Sequence, residues 1–251
     1  VAGSPDSPSQ QSGMKLDLEY GKRRPDSSQP RPPRGALGMS ALIYRERPAA
    51  DVPEGLLVLH HGRGADENDL FALADQLDPA ERLHVVFPRA PLTLGGSGYH
   101  WYVVPRVGHP DPETFHQATA LLATFHDELW DRLRLTPEQT ILGGFSMGSV
   151  MSYTMGLDPR RPGPAGILAF SGFIPVIEGW QPDAPRQRTR VFIAHGSQDP
   201  IIEVGYGQAA NRLLRASGMD VEYHESDAGH WIEATHVAMA RDWVAETLGL
   251  T

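Results

Sequence analysis

Thr140-Ile141-Leu142-Gly143-Gly144-Phe145-Ser146-Met147-Gly148 runs from an apolar, strand-like segment directly into a Gly-x-Ser-x-Gly pattern, and the residues that follow, to position 156, read as a helix. A serine on a tight strand-to-helix turn projects its hydroxyl beyond the sheet edge, and the positions flanking it crowd one another, so glycine is favoured at both. The backbone N–H of Met147 would then lie at a helix N-terminus, where donors lack intrahelical partners and the helix dipole favours an anion. A glycine-rich turn of this kind also cradles phosphates. The strand before and the helix after make Ser146 the candidate nucleophile.

Outward from this turn, strand-like and helix-like segments alternate. Leu56-Leu57-Val58-Leu59-His60 and Leu83-His84-Val85-Val86-Phe87 are short apolar runs of the kind buried on both faces of a sheet. Residues 167–170, 191–194 and 221–224 read the same way. Helical spacing appears at 66–77, with Asp66 as its cap, and at 113–135, 204–217 and 231–248. The repeated strand–helix order predicts an α/β fold, a mainly parallel sheet with helices on both faces, over residues 39–251 as one domain. Residues 1–38 differ: Pro5, Pro8, Pro25, Pro30, Pro32 and Pro33 interrupt a serine- and arginine-rich stretch with few apolar residues. Such a segment buries too little surface to offset its ordering entropy and is expected to be a disordered tail.

In enzymes built around a nucleophilic serine on this turn, an acid and then a histidine follow downstream, just beyond strand C-termini. The strand at 191–194 runs into His195-Gly196-Ser197-Gln198-Asp199-Pro200, and the strand at 221–224 leads to Glu225-Ser226-Asp227-Ala228-Gly229-His230. Asp199 and His230 therefore stand where the chemistry needs them. A serine hydroxyl is a poor nucleophile at neutral pH. His230 would take its proton, and Asp199 would fix the imidazole tautomer and stabilise the imidazolium. Asp227 and Glu203 read as turn or helix-terminus carboxylates, His195 as support for the acid loop, and His224 as a packed strand residue. His84, His109, His116, His126 and His236 read as structural or solvated.

Composition removes several classes. The 251 residues carry 22 basic and 31 acidic side chains, a net charge of −9, which argues against nucleic acid as a partner. With no cysteine, disulfides, a thiol nucleophile and thiolate metal sites are excluded. No apolar run reaches the length of a membrane-spanning helix, and no signal-like apolar stretch opens the chain. These features together lead to the expectation of a cytoplasmic protein. His60-His61 could suggest a metal, but neighbours on a strand point to opposite faces, so no metal is expected.

The strand at 56–60 is followed by His61-Gly62-Arg63-Gly64-Ala65-Asp66-Glu67. A His-Gly-x-Gly turn leaving the strand upstream of the nucleophile is where a second oxyanion N–H arises, here that of Arg63. This motif, with Gly144-Phe145-Ser146-Met147-Gly148, Ser171-Gly172-Phe173-Ile174-Pro175, His195-Gly196-Ser197-Gln198-Asp199-Pro200 and Ala228-Gly229-His230, resembles the phospholipase/carboxylesterase family of α/β-hydrolases, which includes acyl-protein thioesterases and bacterial carboxylesterases. The resemblance covers about residues 40–250. It implies an α/β-hydrolase fold, Ser146, Asp199 and His230 as a catalytic triad, and the Arg63 and Met147 N–H groups as oxyanion donors. It calls for no cofactor and admits a homodimer. Eukaryotic acyl-protein thioesterases carry Gln where Met147 stands; the backbone donor survives that difference.

The stretch between the strands at 170 and 190 is too short for a lid domain, so the site should be open. Trp101, in the glycine- and aromatic-rich loop 89–112, and Phe173 and Ile174 are the expected walls of a substrate cleft. The expected reaction is hydrolysis of small to medium carboxylic esters, or thioesters, through an acyl-enzyme. Another triad hydrolase, such as a dienelactone hydrolase-like enzyme or lysophospholipase, and a non-catalytic binding protein on the same fold are the alternatives.

Overall fold

The computed structural model describes residues 42–96, 98–186 and 188–250. The tail expected over residues 1–38 lies outside them. Seven strands form the central sheet: β1 (Tyr44–Arg47), β2 (Gly55–His60), β3 (Leu83–Pro88), β6 (Thr140–Phe145), β7 (Gly166–Phe170), β8 (Arg190–Gly196) and β9 (Val221–Ser226), in the spatial order β1-β3-β2-β6-β7-β8-β9. All neighbours are parallel except β1, which pairs antiparallel with β3 at one edge. A two-stranded hairpin, β4 (Leu92–Thr93) with β5 (Tyr99–His100), stands apart from it.

Alternation along the inner strands divides the apolar side chains between two layers. Leu56 and Val58 of β2 face α2 (Pro112–Leu133), α3 (Met147–Gly156) and α4 (Val204–Ala216). Leu57 and Leu59 face α1 (Phe71–Leu77) and α5 (Ala234–Thr247). Both faces are thus covered, which is why the central strands are continuous apolar runs. Every residue of α3 is buried, as expected of a helix leaving the middle of the sheet.

Two helix starts differ from the sequence reading. α1 begins at Phe71 rather than at 66, because the Asp66 carboxylate accepts from Asn68 N (2.9 Å) and Nδ2 (3.2 Å), closing a local turn in place of a helix cap. α5 begins at Ala234 rather than at 231, and the non-helical residues 227–233 carry His230. By contrast α2 starts on a side-chain cap, Asp111 accepting from Thr114 N at 2.9 Å, with Pro112 in the first turn. Residues 171–189, between β7 and β8, hold no helix among those described, so no lid domain is present there.

Candidate active site

Ser146 sits between β6 and α3 with φ +55° and ψ −120°, a conformation costly for any residue with a Cβ. The surroundings hold it there: its N–H donates to Phe170 O (2.9 Å), and its carbonyl accepts from Val150 N (3.3 Å). Room for the turn comes from two glycines. A Cβ on Gly148 would lie 1.9 Å from His60 O, and one on Gly144 would lie 2.5 Å from the Gly148 carbonyl carbon. The end of β2 and the start of α3 touch backbone to backbone, which no other residue allows. Ser149 Oγ, 2.6 Å from Gly144 O and 2.8 Å from Phe170 O, ties α3 to both strands that flank the turn.

Asp199 follows β8 and is fully enclosed at its side chain. Oδ1 accepts from Ile201 N (2.8 Å) and Ile202 N (2.9 Å). Oδ2 accepts from His230 Nδ1 (2.7 Å) and lies 3.6 Å from His195 Nε2. Burial pushes the Asp199 pKa up, but the His195 and His230 imidazoles and the Ile201 and Ile202 N–H groups outweigh it and hold the carboxyl well below the usual carboxylate range. His230 follows β9. Its Nε2 lies 2.9 Å from Ser146 Oγ, and its ring packs at a tilt of 39° against Phe145 with centroids 4.8 Å apart. The loops carrying acid and base are sewn together by Ser197 N→Ser226 O (2.7 Å) and Gln198 N→Ala228 O (2.8 Å). Because a carboxylate accepts only, His230 Nδ1 carries the proton and Nε2 is left to accept from the Ser146 hydroxyl.

The turn after β2 runs beside the serine: a Cβ on Gly62 would lie 3.5 Å from Ser146 Cβ. Arg63, exposed at its side chain, is the next residue, and Met147 opens α3 on the other side of Ser146.

Trp101 does not line a cleft. It is fully buried, its indole Nε1 donates to His61 O (3.0 Å), its backbone N–H points to Met147 Sδ (3.3 Å), and its ring packs against His60 and His61. An aromatic-rich loop suggested a substrate wall; the side chain instead fills the layer under the 61–64 turn. Phe173 and Ile174 border a cleft of about 230 Å³ with Trp180, Tyr206 and Leu213, and none of Ser146, Asp199 and His230 is among its lining residues. The segment that leads into it touches the serine turn, since a Cβ on Gly172 would lie 3.4 Å from Ser146 O.

Four other histidines bond structural partners, and His126 is buried among the rings of His60, Phe125 and Trp130. His195 Nε2 donates to Ile202 O (2.8 Å) within the acid loop, His84 pairs with Glu46 (3.0 Å), His224 with Glu222 (2.7 Å), and His116 donates to Glu178 O (2.7 Å). Asp227, Glu203 and His109 are exposed. Among the described residues no three His, Asp or Glu side chains gather as a metal site would need, and no helix is long and apolar enough to cross a membrane. His61 is buried and bonded at both ring nitrogens, a role that neither its place beside His60 nor the metal weighed for that pair discloses; the signal in the sequence is its place at the head of His-Gly-x-Gly.

A parallel sheet with a strained serine turn at its centre and an Asp–His pair on the next loops defines an α/β-hydrolase. Residues 46–248 match the phospholipase/carboxylesterase family model, and the chain belongs to that family; it is a hydrolase acting on ester bonds. Acyl-protein thioesterase 1 of Debaryomyces hansenii is 26% identical over 232 residues, which cover 84% of this chain and 99% of that protein. Among solved structures, the carboxylesterase of Mesorhizobium loti superposes with a TM-score of 0.71 at 25% identity, covering 82% of this chain and 95% of the other. The Bacillus cereus carboxylesterase superposes with a TM-score of 0.73 at 23% identity, covering 82% and 95% respectively, and shows the shared fold.

Proposed function

We propose that this protein is a serine carboxylesterase that hydrolyses small to medium carboxylic esters, and thioesters, through an acyl-enzyme, with Ser146, His230 and Asp199 as its triad. The observation that carries the reading is His230 bridging Ser146 Oγ at 2.9 Å and Asp199 Oδ2 at 2.7 Å. Ser146 Oγ attacks the acyl carbon as its proton passes to His230 Nε2, and the Asp199 carboxylate stabilises the imidazolium. The carbonyl oxygen becomes an oxyanion between the N–H groups of Arg63 and Met147. One such donor is commonly worth about 2.7–4 kcal/mol. Collapse of this intermediate breaks the ester bond, and His230 returns the proton to the leaving oxygen or sulfur. Water then attacks the acyl-enzyme as its proton passes to His230 Nε2, and collapse of the second intermediate breaks the bond to Ser146 Oγ, returns that proton to the serine and releases the carboxylic acid.

The cleft bordered by Phe173 and Ile174 receives the apolar part of the substrate, and the absence of a lid domain between β7 and β8 favours open access. The thioesterase name of the Debaryomyces relative is the reason for including thioesters. The test is labelling with a fluorophosphonate probe alongside turnover of p-nitrophenyl acetate, butyrate and longer esters, and of an acyl thioester. Labelling and turnover that vanish in Ser146→Ala support the reading. A folded wild-type protein that neither labels nor turns over would move the non-catalytic binding role to first place, and activity peaking at long acyl chains would overturn the substrate range.

A further inference from the structure

The imidazole of His61 is almost completely buried and lies one residue before the Gly62–Arg63 peptide. Its Nδ1 is 2.7 Å from Gly62 O, and its Nε2 is 3.0 Å from Ala90 N. A carbonyl oxygen only accepts and an amide N–H only donates, so these partners fix the tautomer: Nδ1–H donates to Gly62 O and the Nε2 lone pair accepts from Ala90 N–H. Burial also holds the His61 pKa below the ordinary imidazole value, so the ring stays neutral. Gly62 C=O and Arg63 N–H belong to one peptide group. Its oxygen end is therefore gripped by a side chain anchored on Ala90, two residues beyond β3, and its nitrogen end is the N–H read above as an oxyanion donor.

We propose that His61 is a positioning residue for ester hydrolysis: its imidazole orients and polarises the Gly62–Arg63 peptide, so that the Arg63 N–H is aimed and strengthened as an oxyanion donor. This rests on the reading of Arg63 as such a donor. A hydrogen bond to an amide oxygen draws electron density from its nitrogen and makes the N–H a better donor, and chains of such bonds reinforce one another in a low-dielectric interior. Here the chain is Ala90 N–H to His61, His61 to Gly62 O, and Arg63 N–H to the oxyanion. Trp101 closes the arrangement from below: its indole N–H donates to His61 O and its backbone N–H points to Met147 Sδ, so one buried residue touches both His61 and the residue that bears the second proposed donor. Preorganisation of this kind matters because a displacement of about 1 Å in an active site can cost about 100-fold in rate.

Three substitutions separate the two bonds. Asn places an N–H where Nδ1 stands and keeps the bond to Gly62 O. Gln places its amide where Nε2 stands and keeps only the Ala90 side, and Phe keeps the ring and neither bond. The expected result is that His61→Gln and His61→Phe lower kcat for p-nitrophenyl butyrate about 10- to 100-fold with KM within about twofold, while His61→Asn stays within about threefold of wild type. Affinity for a butyl trifluoromethyl ketone, which forms a serine-bound oxyanion, should fall in step with kcat/KM, whereas affinity for butyrate should not change. On the wild-type protein, long-range 1H–15N correlation spectra should show His61 Nδ1 protonated and Nε2 unprotonated between pH 6 and 8. Asn as impaired as Phe, losses that track the folded fraction rather than ketone affinity, or a protonated Nε2 would overturn the proposal. Ser146→Ala is run beside them. If it is inactive while all three His61 variants match wild type, the positioning role fails and the triad stands; if it keeps activity, the triad reading itself fails.

Discussion

Asp199→Asn tests the tautomer logic of the site, and the structure dictates which way the new amide faces. Oδ1 accepts two backbone N–H groups, from Ile201 at 2.8 Å and Ile202 at 2.9 Å. Turning the amide nitrogen toward them would set donors against donors and leave two N–H groups unpaired, at about 1–3 kcal/mol each. The amide oxygen therefore keeps that position, and the nitrogen takes the place of Oδ2, 2.7 Å from His230 Nδ1. It donates there, so His230 shifts its proton to Nε2. That nitrogen then donates to Ser146 Oγ and is unable to take the serine proton. In a Ser-His-Asp enzyme this inversion costs about 10⁴-fold in kcat, or about 5.4 kcal/mol of barrier. KM should change little, because the Asp199 side chain is enclosed and does not reach the cleft. The assay is steady-state hydrolysis of p-nitrophenyl butyrate, paired with the rate of fluorophosphonate labelling and a melting curve. An Asn variant within about tenfold of wild-type kcat/KM, at unchanged melting temperature, would refute the argument that Asp199 sets the His230 tautomer.

Gly148→Ala should destabilise the fold by about 3 kcal/mol or more, since its Cβ would sit 1.9 Å from His60 O and backbone must move; an unfolding free energy from urea titration within about 1 kcal/mol of wild type would contradict that close approach. His60 is buried, bonds Gly143 O (3.1 Å) and Ser152 Oγ (2.9 Å), and has its pKa lowered by burial to about 3. The unfolded chain, with an imidazole near 6.5, thus binds more protons across this window, and stability falls as pH drops from about 6.5 toward 3, by up to about 1.4 kcal/mol per unit. Urea titrations at pH 4.5, 6 and 7.5 should show a shallower pH slope for His60→Gln than for wild type; equal slopes would remove His60 as the cause. Arg134 caps α2 with φ +53°, so Arg134→Gly should relieve left-handed strain and raise the melting temperature by about 1–3 °C, whereas a fall would mean that the arginine side chain holds the helix end.

What the sequence disclosed and what it withheld divide along a physical line. The β6 strand could be read to the residue, because its apolar run, its glycines and the serine after them are contiguous. Asp199 and His230 were legible because each follows an apolar strand across a short, turn-rich loop, and a parallel sheet gathers such loops at one edge. Helix starts were less legible. At 66–71 apolar spacing continued through residues whose backbone is committed to a local turn by the Asp66 side chain, a competition that periodicity does not register.

The misreading of Trp101 has a different origin, and it bears on how the site works. Nothing near Trp101 in the chain explains its burial. Its partners, His61 O and Met147 Sδ, are 40 and 46 residues away. The same holds for the grip of Ala90 N–H on His61 across 29 residues. Ser146, Asp199 and His230 each follow a strand and so announce themselves in sequence, whereas His61 and Trp101 bond to atoms contributed by distant segments. A backbone donor carries no side-chain signature: any residue except proline at position 63 or 147 offers an N–H. On the proposal made above, the groups that fix the peptide planes are His61, whose two partners allow one tautomer, and Trp101, which is fully buried; neither carries the local pattern by which a nucleophile is found.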